Sequence, residues 1–180
     1  LAPQLLLSFQ RGDRAEQHGR AGRVEILGAG TETDLPEDRT AGGTAAATLR
    51  DEGFNGPVVL VSREPGIPFG RPPLSKTYLR SEEDLTDWYV RPPNWYEAHD
   101  VDLRPDSVVA LDPAAHALAL GSGRELGYEK LLIATGGHNR RLQLPGAELP
   151  GIYYLRTVAE CDAIKREAEA GRRAVVVGMG

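Results

Sequence analysis

VEILGAGTETDLPEDRTAGGTAAATLR, residues 24–50, starts as a short apolar strand, turns on two glycines, and resumes beyond an acidic stretch as an alanine-rich helix. Strand, glycine turn and helix in that order open a dinucleotide-binding βαβ unit. The glycines let backbone approach a pyrophosphate, and the helix offers that anion its free N–H groups and positive dipole end. Gly28 and Gly30 supply the first two glycines of G-x-G-x-x-G. The third comes only after an interruption: removing nine residues from within Thr31 to Thr40 brings Gly42 into register. That insertion carries Glu32, Asp34, Glu37 and Asp38 against Arg39 alone. Its charge is the wrong sign beside a pyrophosphate, so it must loop outward if an anion binds. By itself the stretch supports two readings, a phosphate loop and a plain glycine-rich turn.

The chain around it has 180 residues, enough for one core or a core plus the start of a second. A net charge of −5 gives no reason to expect nucleic acid or a membrane surface as partner. No segment is long and apolar enough to span a bilayer. Residues 1–22 read as a tail or linker, since LAPQLLLSF lacks the basic lead-in and the length of a signal peptide. Cys161 is the only cysteine, which excludes a disulfide framework or a redox-active cysteine pair within these residues and fits a reducing, cytoplasmic setting. His18, His99, His116 and His138 have no metal-ligand spacing, so no metal is expected. The sequence begins with Leu and closes on RRAVVVGMG, an apolar strand entering a second glycine turn. The pattern of residues 24–30 thus recurs at 174–180, and the expectation is a chain truncated at the start of a second unit.

Between the two turns, GPVVLVSRE is a second buried strand, its β-branched run typical of a parallel sheet. Residues 65–93 form a long connection rich in Pro, Gly and charge, with little room for regular structure in its first half. PPNWYEAHDVDL reads as a helix started at proline and followed by a strand. SVVALD, HALALGSG and LGYEKLLIATGG read as strand, strand with turn, and a third strand ending in glycines. TVAECDAIKREAEAG is a helix capped by Thr157 and closed by Gly171, with Ala159, Ala163, Ile164 and Ala168 on one face.

Taken together and in order, EPGIPFGRPPLSKTYL, YEKLLIATGG, LPG, GIYYLRTVAECDAI and AVVVGMG resemble the FAD-dependent pyridine nucleotide-disulphide oxidoreductases. Within that superfamily the chain is similar to the ferredoxin reductase and apoptosis-inducing-factor-like branch, over residues 23–180. The resemblance implies an α/β fold, a Rossmann-like FAD-binding domain with a parallel sheet. It implies an FAD-binding part over 23–155 and a linker helix with the first strand of an NAD(P)-binding unit over 156–180. FAD would lie on the first unit and NAD(P)H on the second. Carried over by motif, Gly28, Gly30, Ala41 and Gly42 would line the pyrophosphate, and Glu64 would take the adenosine ribose. The position before Glu64, commonly acidic in the family, is here Arg63. Arg71 would face the diphosphate, Val108 the adenine through its backbone, and Thr135, Gly136 and Arg156 the cofactor's flank. Lys76 would be the catalytic cation beside the flavin's electron-rich edge. Gly178 and Gly180 would begin the nicotinamide loop.

The implied reaction is hydride transfer from NAD(P)H to flavin and electron delivery to a ferredoxin- or Rieske-type acceptor. Without a cysteine pair the disulfide-reductase version of this chemistry is disfavoured. The alternative is an FAD-binding module, or remnant, without catalysis, and little reductase activity is expected of the 180 residues alone. Each site residue also has a plainer reading. Arg71 and Lys76 can be solvated loop charges, and Glu64 a strand-end carboxylate in water. Thr135 and its glycines can simply end a strand. Trp88, Tyr89, Trp95 and Tyr96 are read as anchors packing their loop and helix, and Cys161 as an inert packing residue.

Overall fold

The computed structural model describes residues 24–28, 41–169, 171 and 173–178; Gly30, Gly180 and the acidic insertion lie outside the described residues. Strand β1 (Val24–Gly28), strand β2 (Val58–Ser62), strand β3 (Val101–Pro105) and strand β7 (Lys130–Ala134) form one sheet in the order β3-β2-β1-β7. All three pairings are parallel, with Val24 opposite both Val58 and Lys130, and Val58 opposite Val101. The remaining strands, β4 (Val108–Asp112), β5 (Ala117–Leu120) and β6 (Glu125–Gly127), make a separate antiparallel meander.

The reason β2 reads as an unbroken apolar run is that both of its faces are covered. Val58 and Leu60 pack with Ala46 of helix α1 (Ala41–Asp51), Tyr96 of helix α2 (Pro93–Ala98) and Val101. Val59 and Val61 point the other way and pack with Leu118, Leu120 and Leu126 of the meander. The result is three layers: helices, parallel sheet, antiparallel sheet. Tyr96 is buried, and burial pushes its hydroxyl up to about 12.

Arg50, in the last turn of α1, holds this stack at the sheet's amino end. Its Nε donates to His99 O at 2.6 Å and its Nη2 to Asp100 O at 2.9 Å. Its Nη1 donates to Phe54 O at 2.7 Å and Gly56 O at 2.8 Å. One guanidinium thereby ties the end of α1, the turn into β2 and the end of α2 together.

The long connection after β2 is mostly irregular, as its proline content predicts, but it is packed. It holds 3-10 turns at Pro72–Ser75 and Leu85–Trp88 and an antiparallel bridge between Phe69 and Tyr89. Phe69 and Leu74 form a third apolar cluster with Cys161 of helix α3 (Val158–Glu169), and Trp88 and Tyr89 pack against it in the anchoring role expected of them.

Three expectations are corrected. LGYEKLLIATGG is not one strand: β6 ends at Gly127 in the meander and β7 starts at Lys130 in the parallel sheet. Tyr128 makes the crossing, its N–H bonded to His116 O at 2.9 Å and its ring stacked on His116. The face of α3 that carries Ala159 and Ala168 is not its packing face, both being exposed; packing centres on Cys161, fully buried against the 3-10 turn as the packing residue it was expected to be. Periodicity favoured the alanines, but the neighbour to be covered is Leu74, whose carbonyl accepts the Cys161 thiol at 3.1 Å. Residues 173–178, expected as a strand, form none, and Val175, Val176 and Val177 are 91%, 74% and 75% exposed. A strand exists only where a neighbour accepts its ladder bonds, and no described strand lies beside this one.

Candidate functional site

In open parallel sheets, ligands bind beyond the carboxyl ends of the strands. Here those ends bring together residues from distant parts of the chain. β1 ends at Gly28, opposite Ala134, so Thr135 and Gly136 leave the sheet directly beyond the partner of Gly28. Gly136 has a φ of +62°, which favours glycine, and both residues are exposed. α1 begins at the exposed Ala41, with Gly42 and Gly43 buried behind it and no acidic residue in its first turn. The first N–H groups of a helix have no partner within it, so this end suits an anion.

On the other side of β1, the chain just past β2 supplies Glu64, and the long connection supplies Arg71 at the start of the Pro72–Ser75 turn. The Arg71 Nη2 donates to Glu64 Oε2 at 2.6 Å, with the two side chains 21% and 17% exposed. The other nitrogen, Nη1, donates to Arg156 O at 2.7 Å, and the guanidinium lies over the Phe69 ring at 5.3 Å. The remaining Nε is buried without a hydrogen-bond partner. Glu64 Oε1 in turn accepts the N–H of Val158, the first residue of α3, at 2.9 Å. The plainer reading of these two charges as solvated is thus set aside: they pair with each other. Each carboxylate oxygen still has a second acceptor position. Lys76 is exposed and has no ion pair among the described residues, which leaves its charge available to a ligand.

Val108 starts β4, half-buried, packed on the cluster that Val59 and Val61 form with the meander. Its position is fixed by residues with no local sequence signal. Asp106 N–H donates to Ser62 O at 3.0 Å, and the Asp106 carboxylate accepts the Ser122 hydroxyl at 2.6 Å and the Ser107 N–H at 2.7 Å. The Ser122 hydroxyl is the main reason this carboxyl is held below the usual range.

Arg156 is half-buried and enters α3 through a reciprocal cap. Thr157 Oγ1 accepts the Glu160 N–H at 3.2 Å, while Glu160 Oε2 accepts the N–H groups of Thr157 at 3.0 Å and Arg156 at 2.8 Å. Thr157 is the expected cap. Its partner Glu160 was legible in the T-x-x-E spacing and went unread. Gly178 does not join this group; it lies in the exposed segment 173–178 with a φ of +91°.

The arrangement fits a dinucleotide: an acid-free helix start and Gly28 at a strand end for the pyrophosphate, a carboxylate just past the next strand end, a buried guanidinium N–H without an acceptor, and an unpaired ammonium. Among the described residues no group of three or more His, Cys, Asp or Glu side chains could hold a metal. None of the helices there is long and apolar enough to cross a membrane.

Residues 39–180 match the family described as pyridine nucleotide-disulphide oxidoreductase. The chain is 40% identical over 141 residues to rhodocoxin reductase of Rhodococcus erythropolis, covering 78% of this chain and 33% of that protein. It is 35% identical over 158 residues to a rubredoxin-NAD(+) reductase of Pseudomonas putida, covering 87% and 39%. Its fold matches the crystal structure of the ferredoxin reductase for the CYP199A2 system from Rhodopseudomonas palustris with a TM-score of 0.71 and 32% identity, over 83% of this chain and 35% of that one. The chain thus spans between a third and two fifths of the length of these relatives.

Proposed function

The chain belongs to the pyridine nucleotide-disulphide oxidoreductase family, and from that premise we propose that it is the FAD-binding part of a reductase. This reductase takes electrons from NAD(P)H and passes them through flavin to a ferredoxin- or Rieske-type protein. The observation that carries the reading is the convergence of Gly28, the start of α1, Thr135–Gly136 and the Glu64–Arg71 pair on one edge of a parallel sheet. The partner class is supported by relatives whose names are those of rhodocoxin, rubredoxin and ferredoxin reductases.

When bound, FAD supplies the two-electron chemistry toward nicotinamide and the one-electron chemistry toward the acceptor. The protein's part is to bind and bias. Gly28, Gly30, Ala41 and Gly42 hold the pyrophosphate against the start of α1, Glu64 accepts from the ribose, and Val108 offers its backbone to the adenine. Arg71 and Arg156 sit along the same flank, with Thr135 and Gly136 beside them. Lys76 brings the one unpaired cation of this group to the electron-rich edge of the ring and favours negative charge there. Gly178 and Gly180 belong to the nicotinamide-cofactor loop of the second unit, to which α3 leads. A dithiol route has no support: Cys161 is buried, its thiol bonded to Leu74 O and pushed up by burial. With Cys161 the only cysteine, a reducing cytoplasmic setting is part of the proposal.

The test is spectroscopic. The purified protein should be yellow, with a flavin absorption band, or should take up added FAD. A colourless protein that binds no FAD overturns the proposal. Because the chain covers only 33% of rhodocoxin reductase, a second reading stands beside the first, FAD binding without turnover. It predicts a flavin that is retained but not bleached by NADH or NADPH.

A further inference from the structure

We propose that Glu64 is a positioning residue that couples the nucleotide end of the flavin site to the docking of α3. The inference rests on the FAD reading above but goes beyond ribose contact. The carboxylate is shared between two structures that sequence does not connect. Oε2 accepts Arg71 Nη2 at 2.6 Å, and Oε1 accepts the Val158 N–H at 2.9 Å across 94 residues. Arg71 closes the circuit by donating Nη1 to Arg156 O at 2.7 Å, two residues before Val158.

With both Nη groups committed, the guanidinium plane is held, and its carbon lies over the Phe69 ring at 5.3 Å from the centroid. The carboxylate also sits at the positive end of α3, where a negative charge is favoured. Further along the same interface, Leu74 O accepts the Cys161 thiol, and the Tyr78 hydroxyl donates to Asp162 at 2.8 Å. The segment that carries Lys76 and the helix that leads out of the domain are therefore tied together, and Glu64 is the only side chain bonded to both Arg71 and the start of α3 among the described residues. Loss of the carboxylate releases the Arg71 plane and the first turn of α3 together.

Hydrogen exchange at Val158 and FAD titration by fluorescence quenching, on Glu64→Gln, Glu64→Ala and Arg71→Met, separate the parts. Glu64→Ala should speed Val158 exchange in the FAD-free protein by tenfold or more, and Arg71→Met should not. Glu64→Gln should weaken FAD by about tenfold, and the loss in the double variant Glu64→Gln/Arg71→Met should be clearly smaller than the two single losses combined, the remainder being the ribose contact of Glu64. A merely structural Glu64 gives additive losses instead, and additive losses overturn the proposal. So does unchanged Val158 exchange in Glu64→Ala, a result readable without flavin. Wild-type protein that binds no FAD overturns the function proposed above, and the exchange comparison then decides this inference by itself. Gln and Met are close in size to the residues they replace, so a melting curve like that of the wild type keeps the comparison valid if the alanine variant does not fold.

Discussion

Replacing Arg50 by Met keeps the aliphatic stem and removes four hydrogen bonds to four main-chain carbonyls. Two of these, to His99 O and Asp100 O, are exposed, so water takes over as donor and little is lost. The other two, to Phe54 O and Gly56 O, are part-buried, and those carbonyls are left with poorer access to water. At about 1–1.5 kcal/mol for each such bond, the expected loss is about 2–3 kcal/mol. For a chain of this size that corresponds to a drop of roughly 4–12 °C in Tm. Arg50→Lys should fall between, because an ammonium reaches one or two carbonyls but lacks the planar fork that spans all four. Circular-dichroism melts and urea titrations of the three proteins measure the effect. FAD affinity at low temperature should stay unchanged, since Arg50 lies near the end of an 11-residue helix whose start, roughly 15 Å away, faces the nucleotide. A Met variant that melts together with the wild type would refute the reasoning, and so would a selective loss of FAD without loss of stability.

Three further outcomes are expected. Burial, and then the bond to Asp162, push the Tyr78 hydroxyl from its ordinary value near 10 up to about 12. Its contribution is therefore complete below pH 10 and is lost as pH rises toward 12, where the unfolded chain ionises first. Tyr78→Phe should flatten the fall in unfolding free energy between pH 10 and pH 12, and a fall as steep as that of the wild type counts against the assignment. Lys76→Met should leave stability within about 0.5 kcal/mol of wild type, the side chain being exposed, while lowering the flavin reduction potential; an unmoved potential in a redox titration removes Lys76 from the ring's edge. Deleting Glu32 to Thr40 removes four carboxylates and one arginine and should strengthen FAD retention on a desalting column, with equal or weaker retention showing that the insertion does not oppose the pyrophosphate.

What the sequence determined by itself is what lies within one strand, one turn or one helix end. The VVLV run of β2 required cover on both faces and received it from α1 and the meander. Thr157 announced the start of α3, and the proline-rich connection announced a loop. Such features follow from hydrogen bonds and periodicities a few residues long, so their causes sit next to one another in the chain. Tertiary structure alone decided which distant groups meet: Tyr128 carrying the chain from one sheet to the other, Cys161 rather than the alanines facing Leu74, Arg50 reaching carbonyls 49 and 50 residues away, and Glu64 bonded to Val158. A carboxylate at a strand end can hydrate, bind a ribose or pair with an arginine, and all three are compatible with the same letters. The choice depends on where layer packing delivers the guanidinium and the helix start, because a carboxylate taken largely out of water is stable only where a cation or N–H groups replace its hydration.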